Sequence, residues 1–347
     1  MARTRVLIVD DSLTIRSLIK ARLSEDKRIE VVGEAGDPYE AREKIKALSP
    51  DVLTLDVEMP RMNGLDFLER LMRLRPMPVI MVSTLTQKGS AAALEALSLG
   101  AVDCLGKPAA DKIPETFERL GDLLVAAASA RVRDPSQRRA PQAAPTDFRW
   151  NGKYLLIGSS TGGVDALETV LAGFPANCPP TLITQHMPES FLASFAGRLN
   201  GRIAPTLRLA ETGLPLEPGH IYLAPGGDTH LTVEPGDPPR CRLVTGDKRS
   251  GHRPSVDVLF ESAVPMAPRV VAALLTGMGR DGAEQMLALR KSGARCLAQD
   301  EASCVVFGMP RVALETGAAE MAVPLNGMAR EMLALAGAER GAGRAIA

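Results

Sequence analysis

Tyr154-Leu155-Leu156-Ile157-Gly158-Ser159-Ser160-Thr161-Gly162-Gly163 is the stretch from which the rest of the chain can be read. Leu155 to Ile157 has the continuous hydrophobicity of a strand covered on both faces of a parallel sheet. The run stops at Gly158, small and hydroxylated residues follow, and a helical pattern starts near Val164. A strand, a tight turn and a helix start in that order lift Ser159 or Ser160 into the crevice at the strand's carboxyl end. The free N–H groups of the first helical turn lie beside it and suit an oxyanion. A Gly-Ser loop that cradles a phosphate has the same parts, so the stretch alone leaves both readings open.

Working outward, Pro180 to Gln185 reads as the next strand, closed by His186. From Ile203 to Val244 the pattern is short strands and Gly-Pro turns, a β-rich insertion. His252 to Ala263 returns to helix. Val270 to Thr276 is the longest buried strand and runs into Gly277-Met278-Gly279-Arg280-Asp281-Gly282. A helix from about Ala283, a strand at Cys296–Gln299 and a helix around Pro310–Thr316 complete a mainly parallel α/β domain. Three strand ends therefore carry Ser159/Ser160, His186 and Asp281. A serine hydroxyl needs a base to take its proton, and histidine suits that near neutral pH. A buried carboxylate fixes the imidazole tautomer and stabilises its cation. Of the other histidines, His220 lies in a turn, His230 inside a β stretch and His252 in a loop before a helix. The order Ser, His, Asp differs from that of α/β-hydrolases, chymotrypsin and subtilisin.

Residues 1–129 have a different rhythm: five short apolar runs alternate with five helical patterns, the last from about Asp111 to Ala128. This predicts a flavodoxin-like, doubly wound (βα)5 sandwich. Asp10, Asp11, Asp56, Ser83 and Lys107 all follow strand ends on one edge of that sheet. Three carboxylates crowded together call for a cation, and hard oxygen ligands of this kind suit Mg²⁺. A hydroxyl and a lysine beside them would hold phosphoryl oxygens, leaving one Asp as acceptor.

The bulk composition agrees with two domains in 347 residues. Lys plus Arg (41) balances Asp plus Glu (41), so net charge argues for neither nucleic acid nor membrane binding, and 3% aromatics argues against base stacking. Five cysteines without a Cys-x-x-Cys pair read as reduced thiols. Without a signal peptide or an apolar stretch of membrane-spanning length, the expected location is cytoplasmic. Residues 130–150, rich in Pro and Arg, read as a flexible basic linker, 151–335 as the second domain, and 336–347 as a disordered tail.

Two resemblances sharpen these expectations. Val9-Asp10-Asp11, Leu53 to Pro60 (Leu-Thr-Leu-Asp-Val-Glu-Met-Pro), Met81-Val82-Ser83 and Lys107-Pro108 resemble the response-regulator receiver domain. That implies phosphorylation at Asp56 by a CheA-type histidine kinase, Mg²⁺ held with help from Asp10 and Asp11, and phosphoryl contacts from Ser83 and Lys107. Cys104 stands where receivers usually carry a switching aromatic residue. In the second half, Ile157 to Gly163, Ile183 to Pro188, Ala224 to Gly227, His252 to Phe260, Leu275 to Gly282 and Glu301 to Pro310 resemble the CheB methylesterase domain. The resemblance implies Ser160 as nucleophile, His186 as base and Asp281 as its orienting carboxylate, with Thr161 and the Met278 backbone at the oxyanion site. It further implies hydrolysis of glutamyl γ-methyl esters, and deamidation of certain glutamines, on chemoreceptors, without a metal at that site. His252 and Arg253 receive no role from this reasoning. Two other classes fit less well: a transcription factor would need a basic helix-turn-helix half, and a non-catalytic adaptor would not need all of Ser160, His186 and Asp281.

Overall fold

Outside the β-rich insertion, every apolar run that the sequence places in a sheet forms a parallel strand. The computed structural model describes residues 2–83, 87–107, 117, 119–130, 132 and 145–338. In the first half β1 (Thr4–Val9), β2 (Ile29–Ala35), β3 (Val52–Asp56), β4 (Val79–Ser83) and β5 (Asp103–Gly106) pair in the order β2-β1-β3-β4-β5, all parallel. Helices α1 (Leu13–Ser24), α2 (Pro38–Leu48), α3 (Gly64–Leu74), α4 (Gln87–Ser98) and α5 (Leu120–Ala128) cover the sheet. Most of the turn and first part of the helix expected from Asp111 lie outside the described residues. Their starts are local chemistry: Ser12, Asp37 and Asn63 each accept a hydrogen bond from an N–H of the first helical turn. Phe67, Leu68, Leu71 and Met72 on one face of α3 bury it against the sheet. Gly64 is required at its start, since a Cβ there would stand 1.9 Å from the Asp56 carbonyl oxygen.

The second half is built on seven parallel strands. They are β6 (Tyr154–Ser159), β7 (Thr181–Gln185), β8 (Thr206–Leu209), β9 (His220–Leu223), β12 (Val270–Leu274), β13 (Arg295–Gln299) and β14 (Met321–Val323), in the order β14-β13-β12-β6-β7-β9-β8. Only β10 (Thr229–Glu234) and β11 (Arg240–Thr245) stand apart, as an antiparallel ribbon. The β-rich insertion expected over Ile203–Val244 is thus divided: β8 and β9 extend the main sheet, because Ile221 and Leu223 are buried beside β7. Helices α6 (Gly163–Leu171), α7 (Glu189–Asn200), α8 (Val256–Ser262), α9 (Ala283–Lys291), α10 (Met309–Glu315) and α11 (Leu325–Ala336) flank it.

The last strand and helix, β14 and α11, lie beyond the elements expected from the sequence pattern. Helix α11 runs through Ala336, which is buried, and Gly337 bridges Trp150 while the Ala338 N–H reaches the Arg149 carbonyl at 2.7 Å. The expected tail from 336 therefore begins with packed residues, and its part from 339 on lies outside the described residues. Likewise Phe148 and Trp150, inside the expected linker, pack on the second half, whereas residues 131 and 133–144 lie outside the described ones.

The two halves share core. Leu94 and Leu97 of α4 belong to the same buried cluster as Phe195 and Leu199 of α7. On the other face of the receiver-like sheet, Phe117 and Leu120 meet Val305, Val306 and Met278. All five cysteines are free and buried. Burial pushes the Cys104 thiol far above its usual range, so it is an unreactive apolar side chain on β5.

Candidate active site

Register brings the sequence-distant residues together. Gly158 pairs with Leu274 on one side and Thr184 on the other, and Ser159 pairs with Gln185. The carboxyl ends of β12, β6 and β7 are therefore level. The chain leaves β6 toward β7, and after β8 and β9 returns to the opposite side as β12. The crevice between β6 and β12 is a topological switch point, where open α/β sheets hold their ligands. Ser160 sits on its rim, with its N–H donating to the Thr276 carbonyl at 3.0 Å. Gly277 allows this approach: a Cβ there would lie 2.7 Å from the Ser160 Cβ and 2.5 Å from the Met309 sulfur.

The two serines of the turn are not equivalent. Ser159 is fully buried and its hydroxyl donates to Gln185 Oε1 at 2.6 Å. The same amide donates from Nε2 to the Ser160 carbonyl at 3.0 Å, so Gln185 staples the turn. Among the described residues, no hydrogen-bond partner engages the Ser160 hydroxyl, and no acceptor meets the backbone N–H of Thr161 or Met278.

His186 follows Gln185, its N–H bonded to the Ser159 carbonyl at 3.1 Å. Its Nε2 lies 2.7 Å from Asp281 Oδ2. Asp281 also accepts from the N–H groups of Val256 (2.7 Å) and Asp257 (3.0 Å) and from the Ser255 hydroxyl (2.8 Å). The carboxylate thus sits on the amino end of α8, where free N–H groups and the helix dipole favour an anion. Asp281 therefore caps α8 and not α9, the helix that follows it in the chain. The contact with Asp281 holds the proton of His186 on Nε2, leaving the Nδ1 lone pair as the basic atom. That Nδ1 is buried and without a hydrogen-bond partner. Ser160 and His186 stand on adjacent strand ends but are not joined by a hydrogen bond.

His252, which the sequence left without a role, stacks on His186 with ring centroids 3.6 Å apart and planes 10° from parallel. Its Nδ1 lies 2.8 Å from the Ser250 carbonyl, which places its proton there and leaves Nε2 as a buried acceptor. Burial, aided by the charge of Arg119, holds the His186 imidazolium unfavourable and pushes its pKa down to about 3. His252 is pushed down to about 3 by burial, His186 and Arg119. Arg253 donates to the carbonyls of Gly227 (2.9 Å) and Gly246 (2.7 Å), pinning the loops that flank α8. Ser255, His252 and Gln185 are parts that sequence reasoning missed. Each lay inside a motif used for the family resemblance, but their partners are 25 or more positions away: Asp281 for Ser255, Ser160 for Gln185 and the His186 ring for His252.

The first half closes over this crevice. Thr161 Oγ1 donates to Asp103 Oδ2 at 2.5 Å, across the junction from the residue next to Ser160. Burial pushes the Asp103 carboxyl up, opposed by that hydrogen bond. Arg119, just before α5, is the receiver-side charge felt by both histidines. Only 4% of Ser160 and 3% of the His186 side chain are exposed, too little for a protein substrate to enter.

On the other sheet, Asp10 and Asp11 follow β1 and Asp56 ends β3, at the switch point between those strands. Their carboxylates have oxygens within 4.8 Å of one another. Lys107 Nζ lies 2.8 Å from Asp56 Oδ2 and 3.0 Å from Asp10 Oδ2, so its ammonium is the partner these two buried oxygens meet among the described residues. Burial pushes the Asp56 carboxyl up to about 6 against the pull of Lys107. Ser83 ends β4, next to Asp56 through the pairing of Asp56 with Val82.

Comparison with known proteins extends this geometry. The family model described as CheB methylesterase matches residues 155–332, and that described as response regulator receiver domain matches residues 6–118. The protein-glutamate methylesterase/protein-glutamine glutaminase 1 of Caulobacter vibrioides is 58% identical over 98% of this chain and 100% of its own length. The similarly named protein of Rhizobium etli is 56% identical over 98% of each chain. Among solved structures, the Thermotoga maritima CheB methylesterase catalytic domain superposes with a TM-score of 0.52 at 36% identity, covering 53% of this chain and 99% of that one. With a seven-stranded parallel sheet and a (βα)5 receiver, matches to both family models, and relatives more than half identical over nearly the whole chain, the chain belongs to the CheB methylesterase family.

Proposed function

We propose that Ser160, His186 and Asp281 carry the hydrolysis of glutamyl γ-methyl esters, as in the protein-glutamate methylesterases that the chain resembles. The observation that carries this reading is the buried His186–Asp281 pair one strand away from an uncommitted serine hydroxyl at a switch point. Ser160 Oγ attacks the ester carbonyl and its proton passes to His186 Nδ1, the free ring nitrogen. The N–H groups of Thr161 and Met278 receive the oxyanion. Methanol leaves with the proton from His186. Water, deprotonated by the same nitrogen, then cleaves the acyl-enzyme and regenerates Ser160. The amide of a glutamine offers the same carbonyl, so the glutaminase reaction follows the same path with ammonia leaving. No step requires a metal ion.

The receiver supplies the control. Asp56 is the phosphoryl acceptor, Ser83 and Lys107 contact the phosphoryl oxygens, and a CheA-type histidine kinase is the donor. The buried carboxylates of Asp10 and Asp56, with Asp11 beside them and oxygens within 4.8 Å of one another, fit Mg²⁺, which would neutralise the incoming charge there. In the closed arrangement the receiver holds Thr161 through Asp103 and buries His186, so phosphorylation activates by releasing this contact. Residues 1–129 form the receiver and 151–335 the esterase unit, joined by 130–150. The substrates are methylated chemoreceptors, met in the cytoplasm. No helix among the described residues is long and apolar enough to cross a membrane. The test is methanol release from methylated receptor membranes by the full chain and by a 150–347 fragment, with and without a small phosphodonor. Higher turnover in the fragment and in the phosphorylated chain supports masking; equal turnover in all four rejects it.

A further inference from the structure

Outside both sheet edges, a groove of about 640 Å³ opens between α2 and α3, on the receiver. Its floor is apolar, with Ile45, Phe67 and Leu71 buried. All the charged residues lining it are cations: Arg42, Lys46, Arg70, Arg73 and Arg75. The chain as a whole balances 41 basic against 41 acidic residues, so this clustering is local. Arg75 is spent on the Ile45 carbonyl at 3.2 Å, and Lys46 on Glu43 at 3.1 Å. Arg42, Arg70 and Arg73 have no hydrogen-bond or ion-pair partner among the described residues. The groove also carries two large exposed apolar side chains, Tyr39 at 51% and Leu74 at 76% exposure. The catalytic half packs on α4 instead, so this face is separate from the domain junction.

We propose that the α2–α3 groove docks an acidic segment of a partner protein, an amphipathic helix whose apolar stripe enters between Tyr39 and Leu74 while its carboxylates pair with Arg42, Arg70 and Arg73. Unpaired arginines around an apolar floor match such a segment in both charge and surface, and helix-in-groove binding uses this pattern. A flat anionic membrane would meet the charged rim but leave the concave floor unfilled.

The probe is a fluorescein-labelled synthetic helix with leucines at i, i+3, i+4 and i+7 and glutamates elsewhere, followed by anisotropy on the full chain. Saturable binding is expected, weakened at high salt. Arg42→Glu/Arg70→Glu/Arg73→Glu should lower affinity by about ten-fold or more, and Tyr39→Ser/Leu74→Ser by a similar factor, about 1.4 kcal/mol each. Circular dichroism and ester hydrolysis should be unchanged in both, and a single Arg70→Ser variant serves if the triple one unfolds. A leucine–lysine helix should not bind. The proposal is overturned if no binding saturates below about 1 mM, or if neither charge nor apolar variants weaken it. It is equally overturned if the arginines instead govern binding to phosphatidylglycerol vesicles, or sedimentation as a dimer.

Discussion

The receiver edge and the esterase edge are the same kind of place, the carboxyl side of a parallel sheet at a switch point, yet they are finished differently. At the receiver edge the side chains are charged and already in contact, with Lys107 between Asp10 and Asp56. At the esterase edge the parts are only half joined: His186 is bound to Asp281 but not to Ser160. The difference follows from burial. A charge cluster needs its counter-charge at all times, because unpaired buried charges are costly. A serine and a neutral imidazole can wait apart with little penalty. The receiver therefore looks ready for its phosphoryl group, while the esterase is held one contact short, behind Asp103 and Arg119.

This contrast can be broken most decisively at the paired serines. Ser160→Ala should lower methanol release by about 10⁴-fold or more with the fold intact, whereas Ser159→Ala should cost about 1 kcal/mol of stability and retain much of the turnover. If Ser159→Ala removes activity and Ser160→Ala does not, the assignment of the two hydroxyls is reversed. Next in size, Gly277→Ala forces a methyl against Ser160 and Met309. It should reduce turnover and lower stability by about 1–3 kcal/mol, read together by methanol release and thermal unfolding.

A smaller effect should come from the junction. Asp103→Ala removes the hydrogen bond to Thr161, worth about 1 kcal/mol. Basal turnover of the unphosphorylated chain should rise about five-fold, while the 150–347 fragment, which lacks position 103, sets the upper limit. No rise would mean that the apolar contacts, Phe117 and Leu120 on one face and Leu94 and Leu97 on the other, hold the junction without it. Smallest is a displacement along the pH axis. In the closed chain burial and Arg119 hold His186 at about 3, so the imidazole stays neutral far into acid. A lowered histidine pKa means that protonation, and loss of the base, comes only at lower pH. The acid limb of kcat/KM should move upward in the 150–347 fragment, where the receiver no longer covers the ring. Coincident limbs would show that His186 is desolvated by the esterase half itself.

Much of this architecture could be read from residues alone. The buried runs Val6–Val9, Val52–Leu55 and Val270–Leu275 are too apolar for anything but central parallel strands, and each is followed by the polar residues that line an edge. Ser160, His186 and Asp281 stood out because each directly follows or closely trails such a run. The split of the Ile203–Val244 region was hidden, because a short strand of four residues carries no mark of which sheet it joins. Gln185, Ser255 and His252 were hidden for a related reason: what makes each of them matter is a partner far along the chain.

The sequence by itself determined two parallel α/β units, the strand ends that carry chemistry, and the family, since these rest on local hydrophobic runs and on motifs of adjacent residues. Tertiary structure alone decided which serine keeps a free hydroxyl, which imidazole nitrogen faces Asp281, and that α8 rather than α9 receives that carboxylate. It also decided that Asp103 reaches Thr161 across the junction. Hydrogen bonds are directional and short, so they are fixed by strand register and helix placement summed over the whole fold, which no local pattern encodes.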